Sequence, residues 1–185
     1  MFEGVTFHTL RGADLAEIQL QKSQQTVLGM PGGVAEELYP LHTAGPVAWA
    51  VRSEGRLICC FGIVEQFEGR HGFGWALLAE GLGSAHLALT RFVRSQVTNS
   101  GLARVEALVR GPDLEAIIAE RPQLDPGQIL AIALSVATPE MRWAMQVGLT
   151  PVHVMRCYGA NGESVVLCER ISAPASVASI EREAA

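Results

Sequence analysis

The chain has 185 residues and a mass of 19.8 kDa. That suits one domain, which buries roughly 70% of the surface its unfolded form exposes. With 49% hydrophobic and 18% charged residues it is too apolar to be mainly disordered. A net charge of -5 and a pI near 5.5 disfavour generic polyanion binding, although a local basic patch is compatible with them.

The N-terminus, Met1-Phe2-Glu3-Gly4, has no basic region and no apolar stretch, so it is not read as a secretory signal. No apolar run approaches the ~18 residues of a membrane helix. The expected compartment is the cytoplasm. Val5 to Leu10 alternates and is predicted as a strand. Arg11 to Val27 is predicted as one helix, with Asp14 favourably placed in its first turn. Leu28 to Pro46, rich in glycine and proline, is predicted as a long loop with one helical turn near Val34 to Leu38. Val47 to Val51, Leu57 to Val64 and Phe73 to Ala79 are apolar runs separated by turn signals at Ser53-Glu54-Gly55 and Gly69 to Gly72. They predict a three-stranded antiparallel meander.

Glu80-Gly81-Leu82-Gly83-Ser84 breaks that pattern, with Ser84 placed as the cap of a helix to Thr98. Ala85, Ala88, Leu89, Phe92, Val93 and Val97 share one face of that helix. Leu102 to Val109 alternates as a strand, so Phe73 to Val109 predicts a right-handed crossover between parallel strands. Pro112 to Ala137 is predicted as an insertion of two short helices. Thr138-Pro139-Glu140 is a strong helix start, with cap, proline and first-turn acid, and that helix ends at Gly148. Pro151 to Tyr158 and Glu163 to Arg170 are predicted as a closing hairpin with a two-residue turn at Asn161-Gly162. That register sets Cys157 opposite Val166 and Cys168 opposite Met155. Ser172 to Ala185 is predicted as a tail, which leaves residues 1–171 as a single domain.

Cys59, Cys60, Cys157 and Cys168 have no Cys-x-x-Cys spacing, and His8, His42, His71, His86 and His153 are scattered, so no metal site is expected. Cys59 and Cys60 are adjacent on a strand and should face opposite sides. Free thiols are expected throughout.

The element order resembles the GNAT acyltransferase fold: α+β, three-layered, with a mixed central sheet, an antiparallel meander, a βαβ crossover and a C-terminal hairpin. The stretch Arg142-Trp143-Ala144, Val147-Gly148-Leu149, Met155 to Gly159, Asn161-Gly162 and Leu167 to Arg170 is similar to that family's closing pattern. More narrowly, the chain resembles the GNAT-like internal virion protein A family of tailed bacteriophages and prophages. That likeness rests on the hairpin from Val47 to Phe61 with its Cys-Cys-Phe-Gly step, Gly74-Trp75-Ala76-Leu77-Leu78, Leu89 to Arg94, Arg104 to Ala107 and the closing pattern. It spans roughly Phe7 to Ile171 and departs at residues 112–137, where a shorter link is expected.

The broader resemblance implies an acetyl-CoA pyrophosphate loop at (Gln/Arg)-x-x-Gly-x-(Gly/Ala). Here the string is Leu78-Ala79-Glu80-Gly81-Leu82-Gly83, so Gly81, Leu82, Gly83 and Ser84 are the implied cofactor-binding residues. Leu78 replaces the polar first residue, Glu80 adds negative charge, and no Lys or Arg lies between Arg70 and Arg91. If the chemistry survives, Glu65 or Glu68 is the candidate base and Tyr158 the candidate acid. As structural residues, the glutamates are solvated turn positions and Tyr158 a hairpin aromatic. His86 is a phosphate contact or an exposed helix residue. The narrower resemblance implies a virion structural protein without catalytic residues or cofactor, docking to portal, head or tail proteins and to copies of itself. It would sit in the virion, and in the host cytoplasm during assembly, without membrane or sequence-specific nucleic-acid binding. The loop Glu80 to Ser84 would then contact protein, and Leu28 to Pro46 or Ser172 to Ala185 would reach a neighbouring chain. The alternative is an acetyl-CoA-dependent N-acetyltransferase, or a protein that binds an acyl-CoA or nucleotide without turnover.

Overall fold

Alternating apolar runs and one strongly periodic helix fold into a seven-stranded sheet with helices on both faces. The computed structural model describes residues 4–27, 43, 45–159 and 161–172. The expected helical turn at residues 34–38 and the tail beyond Ser172 lie outside the described residues.

The strands are β1 (Val5–Thr9), β2 (Val47–Ser53), β3 (Arg56–Phe67), β4 (His71–Leu78), β5 (Arg104–Arg110), β6 (Thr150–Met155) and β7 (Val165–Ile171). The helices are α1 (Gly12–Glu17), α2 (Lys22–Val27), α3 (Ala85–Thr98), α4 (Glu115–Glu120), α5 (Pro126–Ser135) and α6 (Pro139–Gln146). Sheet order is β1-β2-β3-β4-β5-β7-β6. The first four strands run antiparallel to their neighbours, β4 and β5 are parallel, and β7 lies between β5 and β6, antiparallel to both. The meander and the crossover form as expected, with α3 carrying the chain between the parallel strands.

Each face has its own core. Cys59, Phe61 and Ile63 of β3 pack towards α3 and α6 with Leu89, Val93, Val105 and Met141. Cys60 and Leu77 point the other way, to Leu10, Leu15 and Ile18 around α1. The adjacent cysteines therefore face opposite sides, as strand geometry requires. Phe92 of α3 closes the β1 end of the sheet: its ring lies 4.0 Å from that of Phe7 and meets Trp49 and Phe61 edge-on.

Three expectations are corrected. The single helix over residues 11–27 is two short ones, because Leu20 bridges to Ala79 and pulls the chain flat between them. Ser84 precedes α3 but its side chain caps nothing. The closing hairpin has no two-residue turn. Met155 pairs with Val165, and Tyr158 and Gly159 donate their N–H groups to Glu163 O. Cys168 consequently lies opposite Pro151, and Cys157 sits exposed in the loop at φ +51°.

The segment 112–137 does hold two helices. Asp125 and Gln128 cap α5 reciprocally, each side chain bonding the other's N–H. Thr138 Oγ1 accepts from Met141 N at the start of α6 and donates to Arg110 O at 2.7 Å. That fastens α6 to the end of β5.

Candidate active site

β4 and β5 pair at three positions: His71 with Arg104, Gly72 with Val105, and Phe73 with Glu106. Beyond Phe73 and Glu106 the ladder stops, although β4 continues to Leu78 and β5 to Arg110. β5 keeps its full register with β7 and leans away with it. Gly74 puts no side chain on the α3 side of β4, which leaves depth beneath the split. The result is a cleft of about 820 Å³, floored by Val93 and Val97 of α3 and walled by Ala107 of β5 and Trp143 and Ala144 of α6. Its size and apolar lining are those of a small-molecule site.

Leu82 and His86 reach the cleft mouth, so the loop Glu80 to Ser84 borders it. Gly81 and Gly83 adopt φ +70° and +52°, a region glycine enters without steric cost. An arginine of β3 holds the loop from its carbonyl side. Arg56 donates from Nη1 to Glu80 O at 3.0 Å and from Nη2 to Gly81 O at 2.8 Å. A trans peptide carries its N–H opposite its C=O, so this clamp turns the Gly81 and Leu82 N–H groups away from Arg56. Among the described residues, the N–H groups of Leu82, Gly83 and Ser84 meet no acceptor. Such a run of N–H groups at a helix entry suits a phosphate, and the apolar split suits an extended arm. The residues present fit coenzyme A, despite the exposed Glu80.

The candidate acid–base residues are divided. Glu65 pairs with Gly72 at the closed end of β4, roughly 20 Å of strand from Leu78 at ~3.3 Å per residue. Its carboxylate accepts from Gly69 N and shapes the β3–β4 turn. Glu68 is exposed in the same turn. Neither reaches the cleft. Tyr158 lines it, 58% exposed.

Glu140, read from sequence as a first-turn dipole partner, also lines the cleft, and its Oε2 is buried without a hydrogen-bond partner. Only the fold reveals this role, because a first-turn acid is already explained locally. On the same wall, Trp143 Nε1 donates to Thr90 Oγ1 of α3 at 3.0 Å, a threonine that is buried.

Gln24 of α2 fills part of the opening. Its Nε2 donates to Ala76 O at 2.8 Å and its Oε1 accepts from Leu78 N at 2.6 Å, while Gln21 N donates to Leu78 O at 2.9 Å. Among the described residues no group of three or more His, Cys, Asp or Glu converges on a common point. Among the described residues no helix is long and apolar enough to cross a membrane.

No family model and no curated protein matches the sequence. Solved structures do match the fold. An aminoglycoside 6'-N-acetyltransferase from Enterococcus faecium aligns with TM-score 0.59 and 14% identity over 91% of this chain and 98% of its own. A spermidine N-acetyltransferase from Vibrio cholerae, solved with CoA and spermine, aligns with TM-score 0.56 and 14% identity over 92% and 96%. A GNAT-family acetyltransferase from Bacillus anthracis gives TM-score 0.56 and 12% identity over 91% and 95%.

The fold is the GNAT acetyltransferase fold. Its mixed seven-stranded sheet and flanking helices carry the α+β architecture expected from the sequence.

Proposed function

We propose that this chain is an N-acyltransferase that draws on acyl-CoA, with acetyl-CoA as the simplest donor. The observation that carries the reading is the split between β4 and β5, which ends beside a phosphate-sized run of N–H groups. The similar structures from V. cholerae and E. faecium bear the names of acetyltransferases of amines, and the former was solved with CoA. Acyl-CoA, when bound, supplies a thioester carbonyl activated towards an amine.

In this reading Leu82, Gly83 and Ser84 hold the diphosphate and the apolar walls hold the arm. Glu140 Oε2 takes a proton from the attacking amine, which is the donor that this buried oxygen lacks. As the new C–N bond forms and the C–S bond breaks, Tyr158 gives its phenolic proton to the leaving sulfur. Calorimetry with acetyl-CoA and desulfo-CoA tests the binding. Micromolar affinity that disappears in Gly83→Trp is the expected result, and absence of binding overturns the reading.

The narrower sequence resemblance favours a second reading: a virion component on a GNAT scaffold with degenerate chemistry. Leu78 in the polar first position and Glu80 beside the loop support it. Its partners would be portal, head or tail proteins and further copies of the chain. Co-purification with a particle, together with no CoA binding, would favour it.

A further inference from the structure

We infer that Gln24 is a built-in surrogate for an amide of the ligand's arm, and that the ligand enters by displacing it. This inference rests on the acyl-CoA reading above. The direction of the β4 backbone supplies the argument. Ala79 N donates to Ile58 O, so odd-numbered residues at this end face β3; Arg104 N donates to Arg70 O, so even-numbered residues face β5. Ala76 and Leu78 therefore turn their polar groups into the split, where β5 has moved away. A strand edge left like this must satisfy its N–H and C=O groups with water, ligand or side chain.

Gln21 N–H takes Leu78 O, and one carboxamide takes both Ala76 O and Leu78 N. Gln24 donates to Ala76 O and accepts from Leu78 N, a donor–acceptor pair spaced as an adjacent strand's amides would present it. The arm of coenzyme A is an extended chain with two amides, so it offers the same pair of groups. Both occupants need the same N–H of Leu78 and C=O of Ala76. Gln24 is carried on α2, six residues joined to β4 through Gln21 and the Leu20 bridge, so it can leave without disturbing the main core beneath α3. Gln24 acts in this account as a positioning residue. It sets the threshold for entry and favours arms that replace its amide.

The test compares the intact protein with Gln24→Met, which keeps the side chain's length and removes both hydrogen bonds, and with Gln24→Glu, which can accept from Leu78 N but not donate to Ala76 O when ionised. Calorimetry reports CoA affinity, and amide exchange at Leu78 reports occupancy of the edge. Roughly tenfold tighter CoA binding is expected in Gln24→Met, from two hydrogen bonds no longer displaced, with a smaller gain in Gln24→Glu. The Leu78 amide should exchange faster in ligand-free Gln24→Met and be protected again by CoA. Equal CoA affinity in all three proteins overturns the surrogate role while leaving the acyl-CoA reading intact. If none binds CoA although all melt cooperatively, the acyl-CoA reading fails and the surrogate role with it. Should Gln24→Met misfold, the glutamate variant alone decides by the same comparison.

Discussion

Arg52 holds two carboxylates at once. It meets Asp14 at 3.1 Å and Glu17 at 2.6 Å, and Asp14 is almost fully buried. Arg52→Met leaves Asp14 with only Arg11 N and His8, so unfolding free energy should fall by about 2 kcal/mol in a denaturant titration. The Arg52 hydrogen bond also holds the Glu17 carboxyl below its usual range. A lowered folded-state value adds stability above the ordinary carboxylate range, and that share is lost as pH falls through the folded-state value. Melting curves should therefore drop more steeply below about pH 4.5 in the natural protein than in Arg52→Met.

The cysteines divide as sharply. Burial pushes Cys60 and Cys168 up to about 12 and Cys59 well above its usual value, whereas Cys157 is exposed. A thiol reagent at pH 8 should modify one cysteine in the native protein and four after denaturation. Glu140→Gln should cut amine acetylation by two to four orders of magnitude while leaving CoA affinity unchanged. An equal loss of both would make Glu140 structural instead.

At the scale of elements, the strongest local signals were legible in the sequence. The α3 period and the Thr138-Pro139 start of α6 each depend on neighbouring residues, and each appears where the residues require it. The failures are tertiary. Leu20 breaks a helix because Ala79, far along the chain, offers it a strand partner. The β6–β7 connection widens because Glu163 ties Asn161, Tyr158 and Gly159 into a loop of its own, which overrides the Asn-Gly turn signal. For the same reason the site was half legible. Tyr158 and Leu82, between the two loop glycines, border the cleft, while Arg56 and Gln24 arrive from distant segments and Glu140 carried a sufficient local explanation. Arg56→Ala should lower CoA affinity about tenfold with little change in melting temperature, because it releases two exposed backbone carbonyls rather than core. Thr138→Ala should cost about 1–2 kcal/mol, as it removes both the α6 cap and its tie to Arg110.

At the scale of the whole molecule, the sheet behaves as two ribbons joined by three residue pairs. β1 to β4 form one and β5, β7 and β6 the other, with α3 and α6 bridging beneath the gap. The order in which the chain supplies these strands matters for how it assembles. β7 comes last in sequence yet sits between β5 and β6, pairing with both along their length. During synthesis the first ribbon and α3 can close while β5 still awaits its main partner. The second ribbon locks only once Val165 to Ile171 has emerged and threaded between two waiting strands. These are long-range pairings of the kind that slow folding. A nascent chain halted before Val165 would therefore present two unsatisfied sticky rims to its surroundings, a window in which a chaperone would be most needed.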